Sequence, residues 1–242
     1  MALERPRIEA DQDMADVMKG HGPCTFLLLA LLGLILLSPY LQGGLPSRII
    51  LAVLNTAVML GGAHAMGQNR RLLILGIALA LVGVALQWLT LLEANAMLLR
   101  LAALSYAVFL ALMIGEVLRY ILRRGPVTAD KLHGALAGYI MIAFLWALFY
   151  ALTESFSPGS FVSEQVRHGE PNTFFRLLYF SFTTLTTTGY GDITPVTDQA
   201  RSLVMIEEFA GVFFVGVLIA RLAGLYPQEP KGRNEPPPSH PL

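Results

Sequence analysis

Thr186, Thr187, Thr188, Gly189, Tyr190, Gly191 and Asp192 follow one another directly, and the rest of the chain is read outward from this run. Glycine enters positive φ at little cost, so a stretch in which glycine alternates with bulkier residues can turn successive carbonyls toward one axis. Rings of such carbonyls replace the hydration shell of a dehydrated cation. The Thr187 hydroxyl adds one more oxygen at the inner end. Gly-Tyr-Gly alone is a common turn tripeptide, so the surroundings carry the reading. Upstream, residues 174–186 are aromatic and rich in hydroxyls, and downstream Ile193, Thr194 and Pro195 lead into a long apolar segment.

The whole chain has the composition of an integral membrane protein. Of 242 residues, 55% are hydrophobic and only 14% charged, with a mean hydropathy of +0.58, far more apolar than a soluble domain of this size. Basic and acidic residues are equal in number, 17 of each, which gives no electrostatic case for a nucleic-acid partner. The one cysteine, Cys24, excludes an intrachain disulfide and reads as an apolar residue opening a membrane helix. No nucleophile and base pair, phosphate loop or metal-ligand spacing stands out, so neither an enzyme nor a cofactor is expected.

Stretches of about 20 apolar residues, the length that crosses a ~30 Å hydrocarbon core, occur at 24–40, 48–65, 72–92, 97–122, 132–152 and 202–226. The expected fold is therefore all-α and membrane-integral, with six transmembrane helices. Residues 174–186 are too short and too rich in hydroxyls for a lipid-facing span and suit a re-entrant helix between the fifth and sixth. The acids Glu9, Asp11, Asp13 and Asp16 ahead of the first span argue for a membrane helix rather than a cleaved leader. Cation placement orients the chain. With the N-terminus inside, Arg5, Arg7, Lys19, Arg70, Arg71, Arg119, Arg123, Arg124, Lys131, Arg221, Lys231 and Arg233 are cytoplasmic, and only Arg48, Arg100, Arg167, Arg176 and Arg201 lie outside. A multi-pass protein of the cell (inner) membrane with both termini cytoplasmic follows, and the run at 186–192 enters from outside.

Residues 1–23 read as a cytoplasmic tail and 24–122 as a four-helix peripheral domain. Arg123, Arg124, Gly125 and Pro126 break the chain, since Pro removes a donor and restricts its predecessor. Residues 127–226 then form a pore domain, with Thr128 as N-cap and Asp130 in the first turn of its outer helix. Glu154 to Asn172 reads as an extracellular turret whose acids Glu154, Glu164 and Glu170, with Asp192 and Asp198, could concentrate cations. The proline-rich residues 227–242 read as a disordered cytoplasmic tail.

With these residues in view, 174–226 resembles the pore of the tetrameric potassium channel family, and in particular its small six-helix bacterial members. Residues 127–150 resemble the outer pore helix, while the first four helices match only in number. The resemblance implies a homotetramer in membrane lipid, because one chain carries one filter run. It implies a filter of Thr187, Thr188, Gly189, Tyr190 and Gly191, with permeant K+ at the carbonyls of the first four. Thr188 stands where the family usually has Val, a partial departure. The resemblance also implies that Asp192 bonds behind the filter, that the Tyr190 ring packs on Tyr179 and Phe180, and that Thr183 occupies a position where some relatives carry a Glu.

Glu207 and Glu208 lie inside an otherwise apolar span, where an ionisable group is costly and a functional candidate by default. One of them is expected to back the filter through Thr183, Thr184 or Arg201. By the same resemblance Gly211 is the inner-helix hinge, and Val212, Val215, Ile219 and Ala223 line the cavity. The fourth helix has Arg100 near one end and Arg119 near the other with no cation between, so weak or no voltage dependence is expected. No soluble ligand domain is expected after the last helix. The alternatives are a weakly selective monovalent cation channel, a transporter subunit or a non-conducting membrane adaptor.

Overall fold

The computed structural model describes residues 22–41, 44–65, 70–92, 95–123, 128–163 and 174–223. The two expected tails, the linker residues Arg124 to Pro126 and the turret acids Glu164 and Glu170 lie outside the described residues. In chain order come α1 (Pro23–Leu37) with a 3-10 turn at Ser38–Tyr40, α2 (Gly44–Ala65), α3 (Arg70–Leu92), α4 (Ala96–Leu122), α5 (Ala129–Phe156), β1 (Phe161–Ser163), α6 (Phe174–Leu185), β2 (Ile193–Pro195) and α7 (Asp198–Ala223).

Local chemistry sets several of these boundaries. Pro23 opens α1, where its missing N–H costs nothing. The Asn95 side chain caps α4 by accepting from the Met97 N–H at 2.8 Å. Thr128 caps α5 by accepting from Lys131 N–H at 3.3 Å, with Asp130 in the first turn, as the sequence predicts. Thr197 performs the same task for α7 through the Ala200 N–H.

Four described helical segments are long and apolar enough to cross a membrane: Ile74–Leu92, Ala96–Leu122, Ala129–Phe156 and Asp198–Arg221. Of the other two expected spans, the first appears as a shorter apolar stretch, Cys24–Tyr40, and the second falls within the 22-residue helix α2. Proline explains that shortness. The regular helix α1 is 15 residues long, about 22 Å at 1.5 Å per residue, and gives way to the 3-10 turn that contains Pro39.

Helix α5 is the hub: α1, α4, α6 and α7 all pack against it, while α2 and α3 extend outward from α1 and α4. Its contact faces carry Ala135, Ala137, Ala143 and Ala147, all buried, and small residues let helix backbones approach closely in a membrane. Polar groups pin its N-terminal end. Asp130 accepts from the Cys24 N–H at 3.2 Å and from the Tyr120 hydroxyl at 2.9 Å, and Thr25 Oγ1 lies 2.8 Å from His133 Nδ1. The Arg123 carbonyl accepts from Arg221 of α7 at 2.8 Å and from Lys131 Nζ at 3.3 Å.

At the C-terminal end of α5, Arg100 of α4 donates to the Ser155 hydroxyl at 2.7 Å and the Ser155 carbonyl at 2.5 Å. Its guanidinium also sits 4.5 Å above the Phe156 ring centroid. Arg119 pairs with Glu116 at 2.6 Å.

One element had no counterpart in the all-helical expectation. Strands β1 and β2 pair antiparallel, with Phe161 opposite Pro195 and Ser163 opposite Ile193. Three-residue strands leave no periodic trace in a sequence. Glu154 shapes the turn before them, with Oε1 accepting from Gly159 N–H at 2.7 Å and Oε2 from Phe161 N–H at 3.1 Å. This acid, expected among the charges that gather cations, is bonded into the loop.

Candidate functional site: a pore helix and its carbonyl run

Helix α6 has 12 residues and buries Leu177, Leu178, Phe180, Ser181, Thr183, Thr184 and Leu185. At 1.5 Å per residue it is about 18 Å long, too short to cross the hydrocarbon core, and it packs on α5 and α7. Its last turn leaves carbonyls without helical partners, and the following residues take them up. Thr186 N–H donates to Phe182 O at 3.1 Å and Thr187 N–H to Thr184 O at 2.9 Å. Thr188 and Gly189 N–H both donate to Thr183 O, at 2.8 and 3.1 Å.

Beyond the helix the backbone alternates. Thr187, Gly189 and Gly191 have φ of 57°, 52° and 78°, while Thr188 and Tyr190 between them do not enter positive φ. Alternating hands along a short strand converge like groups of successive peptides on one side, the geometry a carbonyl-lined ion path needs. The glycines were legible in the sequence. Thr187 was not, because a β-branched residue at positive φ is an outlier that costs about 1–2 kcal/mol. Such strain is held where the surroundings over-determine it, here by the Thr187 N–H bond to the helix. The Thr188 hydroxyl lies 2.9 Å from that of Thr186, which in turn donates to Phe182 O at 2.7 Å.

Tyr190 stacks on Tyr179 with ring centroids 6.4 Å apart and planes 4° from parallel. Phe180 turns the other way within the chain, joining Tyr150 at 5.3 Å and Phe161 at 5.5 Å in a separate aromatic cluster. The Tyr179 hydroxyl also engages the Asp192 carboxylate, and Asp192 Oδ1 accepts from the Ile193 N–H at 3.1 Å. Both the ring before the run's last glycine and the acid after it are thereby tied to one tyrosine of α6.

Glu207 is fully buried, whereas Glu208 is exposed in the single chain. Consecutive helical residues point to different faces, so only one of the pair reaches the back of α6. Its partners are Tyr150 of α5 and Ser181 of α6, not the expected Thr183, Thr184 or Arg201. Thr183 Oγ1 donates to Phe180 O at 2.9 Å within its own helix, and Arg201 faces Asp198 at 3.7 Å and the Pro195 carbonyl at 3.4 Å. Tyr150 and Ser181 are the functional candidates missed in the sequence. Their signal was a hydroxyl inside an apolar helix, which buried aromatics and serines share without any special role.

Gly211 lies where α7 crosses the end of α6. A Cβ there would stand 2.2 Å from the Leu185 carbonyl oxygen, the same oxygen that accepts from the Tyr139 hydroxyl at 3.1 Å. Helix α7 runs through Gly211 without a break. Below it Val212, Val215 and Ile219 are exposed on the single chain, with Phe209 and Phe213 beside them. The side chain of Ala223 lies outside the described residues.

Residues 136–226, which hold most of α5, the whole carbonyl run and α7, match a family model described as ion channel. Three curated relatives share parts of this stretch. Two-pore potassium channel 4 of Arabidopsis thaliana is 35% identical over 83 residues, covering 34% of this chain and 29% of that protein. The likeness is to potassium channels. The calcium-gated potassium channel TvoK of Thermoplasma volcanium is 33% identical over 58 residues, 24% of this chain and 17% of that one. The hyperpolarization-activated voltage-gated potassium channel of Methanocaldococcus jannaschii is 43% identical over 51 residues, 21% of this chain and 23% of that one. The chain thus spans less than a third of the length of each of these relatives. No solved structure matches it significantly. The matched stretch is similar to ion channels and not to a catalytic domain, and with its long apolar helices the chain is a multi-pass membrane protein.

Proposed function

We propose that the chain is a potassium-selective channel subunit, four copies of which close one filter around a central axis. The observation that carries this is the alternation of positive φ at Thr187, Gly189 and Gly191 in an exposed run fastened to the end of a short helix. Carbonyls of Thr187, Thr188, Gly189 and Tyr190 would hold dehydrated K+ in adjacent sites, with Gly191 completing the filter. Neighbouring ions expel one another by knock-on, so tight coordination and rapid exit are compatible. Asp192 and Tyr179 hold the outer end, and Val212, Val215, Ile219 and Ala223 would line an apolar cavity below. The exposed apolar face of α7, including Phe209 and Phe213, is what neighbouring copies would cover.

Six spans, both termini cytoplasmic and residence in the cell membrane complete the proposal. In proteoliposomes carrying the full chain, potassium flux is expected to exceed sodium flux by orders of magnitude. Equal fluxes would favour the weakly selective alternative, and no flux for either ion would favour an adaptor or transporter subunit.

Voltage dependence is expected to be weak. Moving one elementary charge through 100 mV supplies only about 2.3 kcal/mol, and the two arginines of α4 are fastened, Arg100 to the end of α5 and Arg119 to Glu116. Planar-bilayer recordings are expected to show an open probability nearly flat with voltage, and a gating charge of several elementary units would refute this.

A further inference from the structure

We infer that Glu207 is a neutral carboxylic acid whose proton completes a hydrogen-bonded clamp joining α5, α6 and α7 behind the filter. The atoms form a line: Tyr150 Oη contacts Glu207 Oε2, Glu207 Oε1 contacts Ser181 Oγ, and Ser181 Oγ lies 2.9 Å from the Ala143 carbonyl oxygen. Three contacts need three hydrogens. A carbonyl oxygen only accepts, so the Ala143 contact uses the sole Ser181 proton. Ser181 Oγ then has only lone pairs to offer Glu207, and Oε1 must supply the hydrogen. The Tyr150 hydroxyl provides the third by donating to Oε2. An ionised carboxylate would leave one serine hydrogen facing two acceptors in a fully buried site.

The Tyr150 hydroxyl that donates to Oε2 would favour a carboxylate, but no cation offsets the burial of its charge. The titratable groups that face it are Tyr150 and Tyr139 from α5 and Glu208 from its own helix, while α6 contributes Ser181; none of these is a cation. An unpaired charge buried there carries a large desolvation cost, which neutralisation removes.

The clamp bears on conduction through position alone, and in that respect it rests on the channel reading. Ser181 lies two residues before Thr183, whose carbonyl holds the Thr188 and Gly189 amides. Glu207 is therefore a positioning residue for the pore helix. Glutamine reproduces the whole pattern, since its amide nitrogen donates to Ser181 while its oxygen accepts from Tyr150. Alanine reproduces none of it.

The test uses the full chain in lipid, with infrared spectra and potassium flux recorded on the same preparations at neutral pH. The wild type is expected to show a deuterium-sensitive carbonyl stretch of a protonated acid that Glu207→Gln removes. Flux is expected to persist in Glu207→Gln and to fall about tenfold or more in Glu207→Ala, the scale of a lost buried hydrogen-bond partner. Absence of a Glu207-dependent acid band overturns the inference, as does loss of flux in Glu207→Gln as deep as in Glu207→Ala. A wild type that shows the band but passes no potassium overturns the channel reading and leaves the protonated clamp standing.

Discussion

Gly211→Ala is expected to abolish potassium flux and to lower the thermal midpoint of the assembled protein. The added Cβ would stand 2.2 Å from the Leu185 carbonyl oxygen and 3.0 Å from its carbon. Backbone atoms cannot swing aside as a side chain does, and this carbonyl is also held by the Tyr139 hydroxyl at 3.1 Å. Relief therefore requires α7 to move away from the end of α6. Overpacking of this kind costs about 1–3 kcal/mol where side chains can adjust, and a clash with main chain lies at the upper end. The displaced helix end is the one that carries the carbonyl run at 187–191. Gly216→Ala is the comparison, because a Cβ there meets nothing within 4 Å in the chain. A hinge role alone would alter gating while leaving stability at the wild-type level, so an unchanged midpoint in Gly211→Ala would count against close packing as the reason for this glycine.

Gly189→Ala is expected to leave a folded, membrane-inserted protein that no longer discriminates potassium from sodium. At φ 52° an L side chain costs about 1–2 kcal/mol, and four equivalent positions would multiply that cost in the proposed ring. The backbone has a cheaper course, which is to leave the left-handed region and rotate the neighbouring peptide. That rotation moves one carbonyl out of line and weakens the Gly189 N–H bond to Thr183 O. No Cβ contact lies within 4 Å at Gly189, so the effect comes from backbone conformation and not from packing in the chain. Reversal potentials under mixed potassium and sodium are the measurement, and a Gly189→Ala channel with wild-type selectivity would sink the claim.

Legibility in the sequence followed the range of the interactions. Gly189 and Gly191 announce positive φ because no other residue adopts it cheaply, and Thr128 with Asp130 announces a helix start from adjacent positions. Thr187 could not be read that way, since its conformation is imposed by a bond to Thr184 against its own preference. The choice between Glu207 and Glu208 was equally hidden. Both are acids in one apolar helix, and what separates them is the position of Tyr150 and Ser181, 57 and 26 residues away. The end of α1 was also hidden, since at Pro39 hydropathy continues but the α-helix does not. Arg100 read as an end-of-helix cation, and its bond to Ser155 across 55 residues emerged only with the fold.

The Thr183 carbonyl has a mechanical consequence. An oxygen has two lone pairs, and here both are occupied by consecutive amides, those of Thr188 and Gly189. The first part of the run is thus tied at two successive amides to the last turn of α6. A rotation of the short helix therefore carries this part of the run with it, and α5 and α7, packed on its flank, resist that rotation.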